Sequence, residues 1–186
     1  MSEKTRLTSI IKSLQELLNS SSDRMVTTIT QEGNIGKATC LFNEPISRKE
    51  FEDIIITNNW NFPPDVIEFY LTHNGARMYT VPNYGGGTDL LSLDRILRIK
   101  QEQINIPDRW VPIAWTDHTI GGIYVDCDRV VENRFPYLYF LDAIAPINEA
   151  IPIHSDFTTW LERLIICQGV EYWMWDFYNS IEFKNK

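Results

Sequence analysis

The strongest constraint on the fold is that the apolar period changes twice along the chain. Leu7, Ile10, Ile11, Leu14, Leu17 and Leu18 lie three and four residues apart, the spacing that lines side chains along one face of a helix. Asn19-Ser20-Ser21-Ser22-Asp23 ends that helix. Ser47 and Glu50 have capping-box spacing ahead of a helix from Arg48 to about Thr57, which turns Phe51, Ile54 and Ile55 inward. Pro63-Pro64 opens a third helix, Val66, Ile67, Phe69, Tyr70 and Leu71 form its buried side, and Asn74-Gly75 stops it. After Gly75 the apolar runs become short and β-rich. Met78–Val81, Trp110–Trp115, Gly122–Asp126, Tyr137–Leu141 and Ile151–Ile153 read as strands, with one short helix around Asp94–Ile99. Helical spacing returns at Phe157, Trp160, Leu161, Leu164 and Ile165, with Ser155 or Asp156 as cap and Gly169 as the end. Helices at both ends with a meandering sheet between them predict an α+β fold, a mostly antiparallel twisted sheet flanked by N- and C-terminal helices.

Met25–Thr30 and Ala38–Phe42, with Gly33 and Gly36 between them, predict a hairpin ahead of the second helix. There is no internal repeat, low-complexity tract or long linker. The expectation is one domain over residues 1–186, a core at 44–177, and a helix plus hairpin at 1–43 appended to it. Tyr172 to Phe177 is an aromatic segment expected to fold back onto the body.

Charge narrows the partners. Lys plus Arg number 17 and Asp plus Glu 25, a formal charge of −8, which argues against broad nucleic-acid binding and against an anionic membrane surface. It permits a basic protein partner, though charge sign alone establishes none. No run approaches a membrane span, and the start of the sequence lacks the apolar segment of a signal peptide. Cys40, Cys127 and Cys167 are odd in number and widely spaced, so they read as reduced, partly buried thiols in a cytoplasmic protein.

The residues of a catalytic centre do not assemble. There is no Gly-x-Ser-x-Gly elbow, no His-Glu-x-x-His and no Cys-x-x-Cys. His73 reads as a group bonding free carbonyls in the last turn of its helix, and His118 as the best-exposed histidine, in a turn. A small hydrolase using His118 with Asp117 or Asp126 is the weakest reading. Asp126 and Asp128 would share one side of a strand end, as a solvated or turn-capping pair. Gly85-Gly86-Gly87 lacks a P-loop lysine and reads as a tight loop with positive backbone angles; Gly121-Gly122 reads as a turn. The expectation is therefore no enzyme, no metal and no cofactor. Tyr84 and Trp115 sit at loop borders near Asp89, Asp117 and Glu102, a composition suited to a protein interface.

One segment is specific. Phe62-Pro63-Pro64-Asp65 followed by Phe69-Tyr70-Leu71 and Asn74-Gly75 resembles the hallmark of the SUKH superfamily, which contains bacterial immunity proteins and a yeast regulator of cell-wall synthesis. Similar segments follow in family order: Gly86-Gly87 with Leu90 to Ile96, Trp110-Val111-Pro112-Ile113-Ala114, Gly122-Ile123-Tyr124-Val125-Asp126, Tyr137 to Asp142, and Phe157 to Leu161. The resemblance covers about Ser47 to Leu164. It implies an antiparallel sheet flanked by helices, no catalytic residue, and a non-enzymatic immunity protein that binds and neutralises a cognate toxin, often a nuclease, through the concave sheet surface. The partner-binding candidates are Tyr84, Asp89, Trp115, Asp117, Asp126 and Asp128. The alternative is a scaffold in stress or cell-wall signalling.

Overall fold

Eight strands follow one another across one antiparallel sheet in chain order: β1 (Val26–Ile29), β2 (Ile35–Phe42), β3 (Ala76–Thr80), β4 (Thr88–Leu90), β5 (Trp110–Thr116), β6 (Gly121–Asp126), β7 (Leu138–Asp142) and β8 (Ile151–Ile153). The computed structural model describes residues 5–29, 33–103 and 105–175. Among these lie six helices: α1 (Arg6–Ser20), α2 (Arg48–Thr57), α3 (Pro64–Thr72), α4 (Leu93–Glu102), α5 (Cys127–Val131) and α6 (Phe157–Ile166). The fold is α+β. Thr30, Asp176 and Phe177, which the sequence reading placed in the first hairpin and the aromatic tail, lie outside the described residues.

The connections alternate, and this gives the sheet two unlike ends. β1–β2, β3–β4, β5–β6 and β7–β8 are joined directly, and all four hairpins turn at the same end. β2 reaches β3 through α2 and α3, β4 reaches β5 through α4, and β6 reaches β7 through α5, all at the opposite end.

α1 packs on α6, α6 on α3, and α3 on α2. Their apolar stripes meet the inward residues of the sheet in one core: Leu7, Leu14, Phe51, Val66, Phe69, Trp160 and Leu164 from the helices, with Ala38, Met78, Leu90, Ile123, Val125, Leu138 and Phe140 from the strands. β2 pairs with β3, so the first hairpin continues the sheet. On the opposite face a row crosses five strand pairs in register: Leu41, Arg77, Asp89, Trp115, Gly122 and Leu141. Tyr124 and Leu141 are buried outside the helix-side core. Gln103, just after α4, donates to the Tyr124 hydroxyl at 2.7 Å.

Asp65 of the Pro-Pro-Asp segment joins two helices. The N-terminal amides of a helix have no partner within it. At α6, Phe157 N donates to the Tyr137 hydroxyl (3.2 Å), Thr158 N to Asp65 Oδ2 (2.9 Å) and Thr159 N to Asp156 Oδ1 (2.6 Å). Asp156, not Ser155, is thus the cap. Asp65 also accepts from Thr158 Oγ1 and, through Oδ1, from Val66 N of α3. Burial raises its carboxyl pKa despite these donors.

Both sheet edges are blunted. The outward backbone of β1 is matched by one side chain: Ile29 N donates to Gln168 Oε1 (3.1 Å), and Gln168 Nε2 donates to Thr27 O (3.4 Å). β8 at the other edge is short and contains Pro152, which has no amide to offer.

Several local expectations change. Asp126-Cys127-Asp128 is a helix start: Asp126 caps α5, accepting from Asp128 N and Arg129 N. Gly121 and Gly122 lie inside β6, and the turn before them carries Ile120 at φ 37°. They are needed for packing, since a Cβ on Gly121 would sit 2.5 Å from the Phe140 ring and one on Gly122 2.6 Å from that of Tyr124. Gly36 also lies within a strand, β2. Thr88–Leu90, which is not among the expected strands, forms β4. The glycines of the β3–β4 loop do adopt left-handed angles, φ 80°, 74° and 91° at Gly85, Gly86 and Gly87. His73 is the C-cap of α3, and its Nδ1 lies 3.3 Å from Asn43 O at the end of β2 rather than on a carbonyl of its own helix.

Candidate functional site

The sheet separates the six partner-binding candidates into two groups. Tyr84 is in the β3–β4 hairpin loop, Asp89 and Trp115 are paired across β4 and β5, and Asp117 follows β5 with its amide donating to Gly87 O. These four gather toward the hairpin end. Asp126 and Asp128 lie at the helix end, roughly 17 Å away along β6 at about 3.3 Å per residue. The same distance separates Asp126 from the turn holding His118, so those two groups cannot act on one substrate atom.

Of the four candidate aspartates, the three that are not on a hairpin turn have structural partners nearby. Asp89, with a side chain 13% exposed, lies between Arg77 (2.9 Å) and Arg95 (2.6 Å). Asp128 pairs with Arg109, which also donates to Asn59 O, Asn61 Oδ1 and Cys127 O. Asp126 caps α5 and has Arg129 at 3.8 Å. These carboxylates brace strands and helices, and their charge is compensated on the spot. Asp117 differs: it is exposed, and it makes no ion pair among the described residues.

Sequence reasoning singled out Tyr84 but missed the apolar side chains at the other hairpin tips. Tyr84 is 90% exposed, and with it stand Ile29, Ile35, Val81, Ile120 and Ile144, the last 95% exposed. Every one lies in or beside one of the four hairpins. Six large apolar side chains are thus left in water toward one end of the sheet, while others, among them Leu17, Ile56 and Phe135, are exposed elsewhere. The signal was present but needed the turns to be placed. Ile120 lies between the turn residues Asp117-His118-Thr119 and a glycine pair, and Ile144 between two alanines ahead of Pro146.

A groove of about 550 Å³ opens at this end between the β5–β6 turn and the β7–β8 connection. Glu171 supports one wall. It is buried, and Thr119 donates to it through both backbone N and Oγ1. Two further grooves lie among the described residues. One, about 540 Å³, lies between α1, the β1–β2 hairpin and the end of α6; the other, about 450 Å³, is bordered by Asp65, Asp156, Arg129, Arg134 and Phe135. Among the described residues, no three His, Cys, Asp or Glu side chains are grouped to hold a metal ion, and no helix is long and apolar enough to cross a membrane.

The chain is similar to known proteins. The chain is similar to the Bacillus subtilis (strain 168) protein YnaB, described as uncharacterized, at 33% identity over 136 residues, which cover 73% of this chain and 88% of YnaB. It is similar to YobM of the same organism, also described as uncharacterized, at 25% identity over 155 residues, covering 80% of this chain and 82% of YobM. The SMI1 / KNR4 family (SUKH-1) matches residues 45–163, from just before α2 into α6, and leaves α1 and the first hairpin outside the match. The Pro-Pro-Asp segment that caps α6, the glycine-bearing β3–β4 loop and the strands that follow all fall within that span, and on this ground the chain belongs to the SMI1 / KNR4 (SUKH-1) family.

Proposed function

We propose that this protein acts by covering the surface of another protein, as an immunity protein that binds and neutralises a cognate toxin, with the hairpin end of the sheet as the contact. The observation that supports this most is the row of exposed apolar side chains at the four hairpins, Tyr84, Ile120 and Ile144 foremost, beside carboxylates that lack a cation. Interface energy concentrates in such anchors once a partner removes them from water. Uncompensated acidic groups speed encounter with a basic surface and set its register, and the substrate groove of a nuclease is such a surface. Asp89, Asp126 and Asp128 hold this end and its opposite in shape, whereas Tyr84, Trp115 and Asp117 face the partner.

The test is co-expression with the toxin encoded beside this gene. Restored growth and a co-purifying complex are expected. In the same assay Tyr84→Ala with Ile120→Ser weakens rescue, while both substitutions leave the melting temperature unchanged because neither side chain is in the core. Continued toxicity with no complex, for the cognate toxin, refutes the reading. Capture of a cell-wall or stress-signalling component in place of a toxin favours the scaffold alternative.

A further inference from the structure

We propose that the groove between the β5–β6 turn and the β7–β8 connection seats a basic amphipathic segment of a protein partner, an apolar side chain entering the groove and Lys or Arg side chains meeting its rim. The inference rests on reading the hairpin end as a protein-binding surface and adds the chemistry of what binds there.

The floor is apolar, formed by Phe140, Pro146, Ile151 and Met174. Ile144 stands on the rim almost wholly in water. Such a floor recognises shape and apolar area but no charge. Charge comes from the rim, where Asp142 and Glu149 stand. Asp142 Oδ1 accepts from Ile144 N at 2.9 Å, which orients the loop and leaves Oδ2 open. Neither carboxylate has an ion-pair partner among the described residues.

Several carboxylates elsewhere in the molecule are matched, whereas others, such as Asp53, Asp94 and Asp117, have no ion pair among the described residues. Asp23 has Lys37, Asp89 has Arg77 and Arg95, Asp128 has Arg109, and Glu162 has Arg6. The sequence around the groove is short of cations. No Lys or Arg occurs between Arg109 and Arg129, nor between Arg134 and Arg163, the two stretches that build both walls of the groove. His118 also lines the groove, but these stretches bring no Lys or Arg to its rim. The walls are also held in place in the free protein. Buried Glu171 ties Thr119 of one wall to the 3-10 turn that carries Met174. An apolar cleft rimmed by open carboxylates and held without its ligand is matched by an amphipathic element whose polar face is basic.

The experiment is a titration of isotope-labelled full-length protein with a synthetic amphipathic Lys/Leu helix peptide, followed by amide chemical shifts. A Glu/Leu peptide of the same pattern is the control. Expected are shifts at Thr119, Asp142, Ile144, Glu149 and Ile151 with the Lys/Leu peptide and none there with the Glu/Leu peptide. Affinity should fall steeply as salt rises from about 50 to about 300 mM. Asp142→Asn with Glu149→Gln, which keeps the acceptor for Ile144 N, should weaken binding about tenfold or more. Shifts clustered elsewhere, equal binding of the two peptides, or binding by the double variant within about twofold of wild type would overturn the inference. Growth rescue separates this from the broader reading. If wild type and the double variant carrying Ile144→Ser protect equally against the cognate toxin, the groove is refuted and neutralisation stands. If wild type does not protect, neutralisation is refuted and the titration alone decides the groove.

Discussion

Asp65 decides whether the Pro63-Pro64-Asp65 segment is architecture or interface. Asp65→Ala removes the acceptor of three donors: Thr158 N at 2.9 Å, Val66 N at 3.0 Å and Thr158 Oγ1 at 3.2 Å. A buried donor left without a partner costs about 1–3 kcal/mol, and loss of a helix cap about 0.5–2 kcal/mol. Removing a carboxylate whose burial disfavours its charge offsets part of this. The expected net loss is about 2–3 kcal/mol. At about 2–4 °C per kcal/mol for a chain of this length, the melting temperature falls by about 4–12 °C. Asp65→Asn retains an acceptor oxygen and carries no charge, and its loss should stay below about 1 kcal/mol. Thermal unfolding followed by far-UV circular dichroism near neutral pH measures both. An alanine variant that melts within about 1 °C of wild type, or an asparagine variant as unstable as the alanine one, would refute the capping account.

The pH dependence gives the same reasoning a sign. Asp65 is held above the ordinary carboxylate value of 3.8 by burial. A carboxyl with a raised folded pKa contributes stability that is fully present below its unfolded value and lost as pH rises through its folded value. Asparagine does not titrate, so the rest of the acid transition cancels in the difference between the two proteins. Wild type should therefore gain on Asp65→Asn as pH falls from neutral toward about 4. A gain in the opposite direction would mean that the three donors outweigh desolvation.

Three other perturbations test separate parts of the structure. Gln168→Ala uncovers the outward backbone of β1, and should speed amide exchange at Ile29 and raise self-association in light scattering, because an open strand edge invites pairing. Gly87→Ala places a Cβ 2.2 Å from Met78 O at φ 91°, and should lower stability by more than about 2 kcal/mol in urea unfolding. Burial pushes the thiols of Cys40 and Cys127 up to about 11, whereas Cys167 is only partly buried. A native thiol titration should show fast reaction of Cys167 alone, with the other two released by denaturant.

The fold was legible wherever apolar spacing and caps agreed. Ser47 accepts from Glu50 N as its spacing predicts, and α2 spans Arg48–Thr57. The helical stripe from Leu7 to Leu18 faces the core at Leu7, Ile11, Leu14 and Leu18, and the strands after Gly75, β4 apart, are found within a residue or two of their expected ends. The reading was weaker where one residue type serves two ends. Asp126 looks the same in a strand and at the cap of a short helix, and only the amides of Asp128 and Arg129 tell them apart. Gly121-Gly122 reads as a turn because the rings of Phe140 and Tyr124, which demand the missing side chains, lie on other parts of the chain or across the strand face. The candidate aspartates were chosen for charge, and charge in a sequence carries no information about which arginine folds against it. Asp89 shows this, since its two partners come from β3 and α4.

The two ends of the sheet differ in how far their supporting contacts reach. At the helix end, Arg109 ties the start of α5 to the residues between α2 and α3, so a substitution there disturbs several elements at once. At the hairpin end the supporting contacts stop one step short of the tips. Gly87 O holds the amide of Asp117, and Val81 pairs with Gly85, yet Tyr84 beyond them projects into water. Thr119 is fixed by Glu171, yet the next residue, Ile120, is exposed. Side chains placed this way add little to folding and meet any docking surface first. Their identity can change with a partner at little cost in stability, while the braced bases keep their geometry. Specificity is a difference between cognate and non-cognate binding, and it changes most freely where the fold does not depend on the residue. By that argument, swapping the tips Tyr84, Ile120 and Ile144 for those of a relative should transfer partner choice with the melting temperature preserved, whereas exchanging Asp89, Asp126 and Asp128 should lower stability before it alters preference.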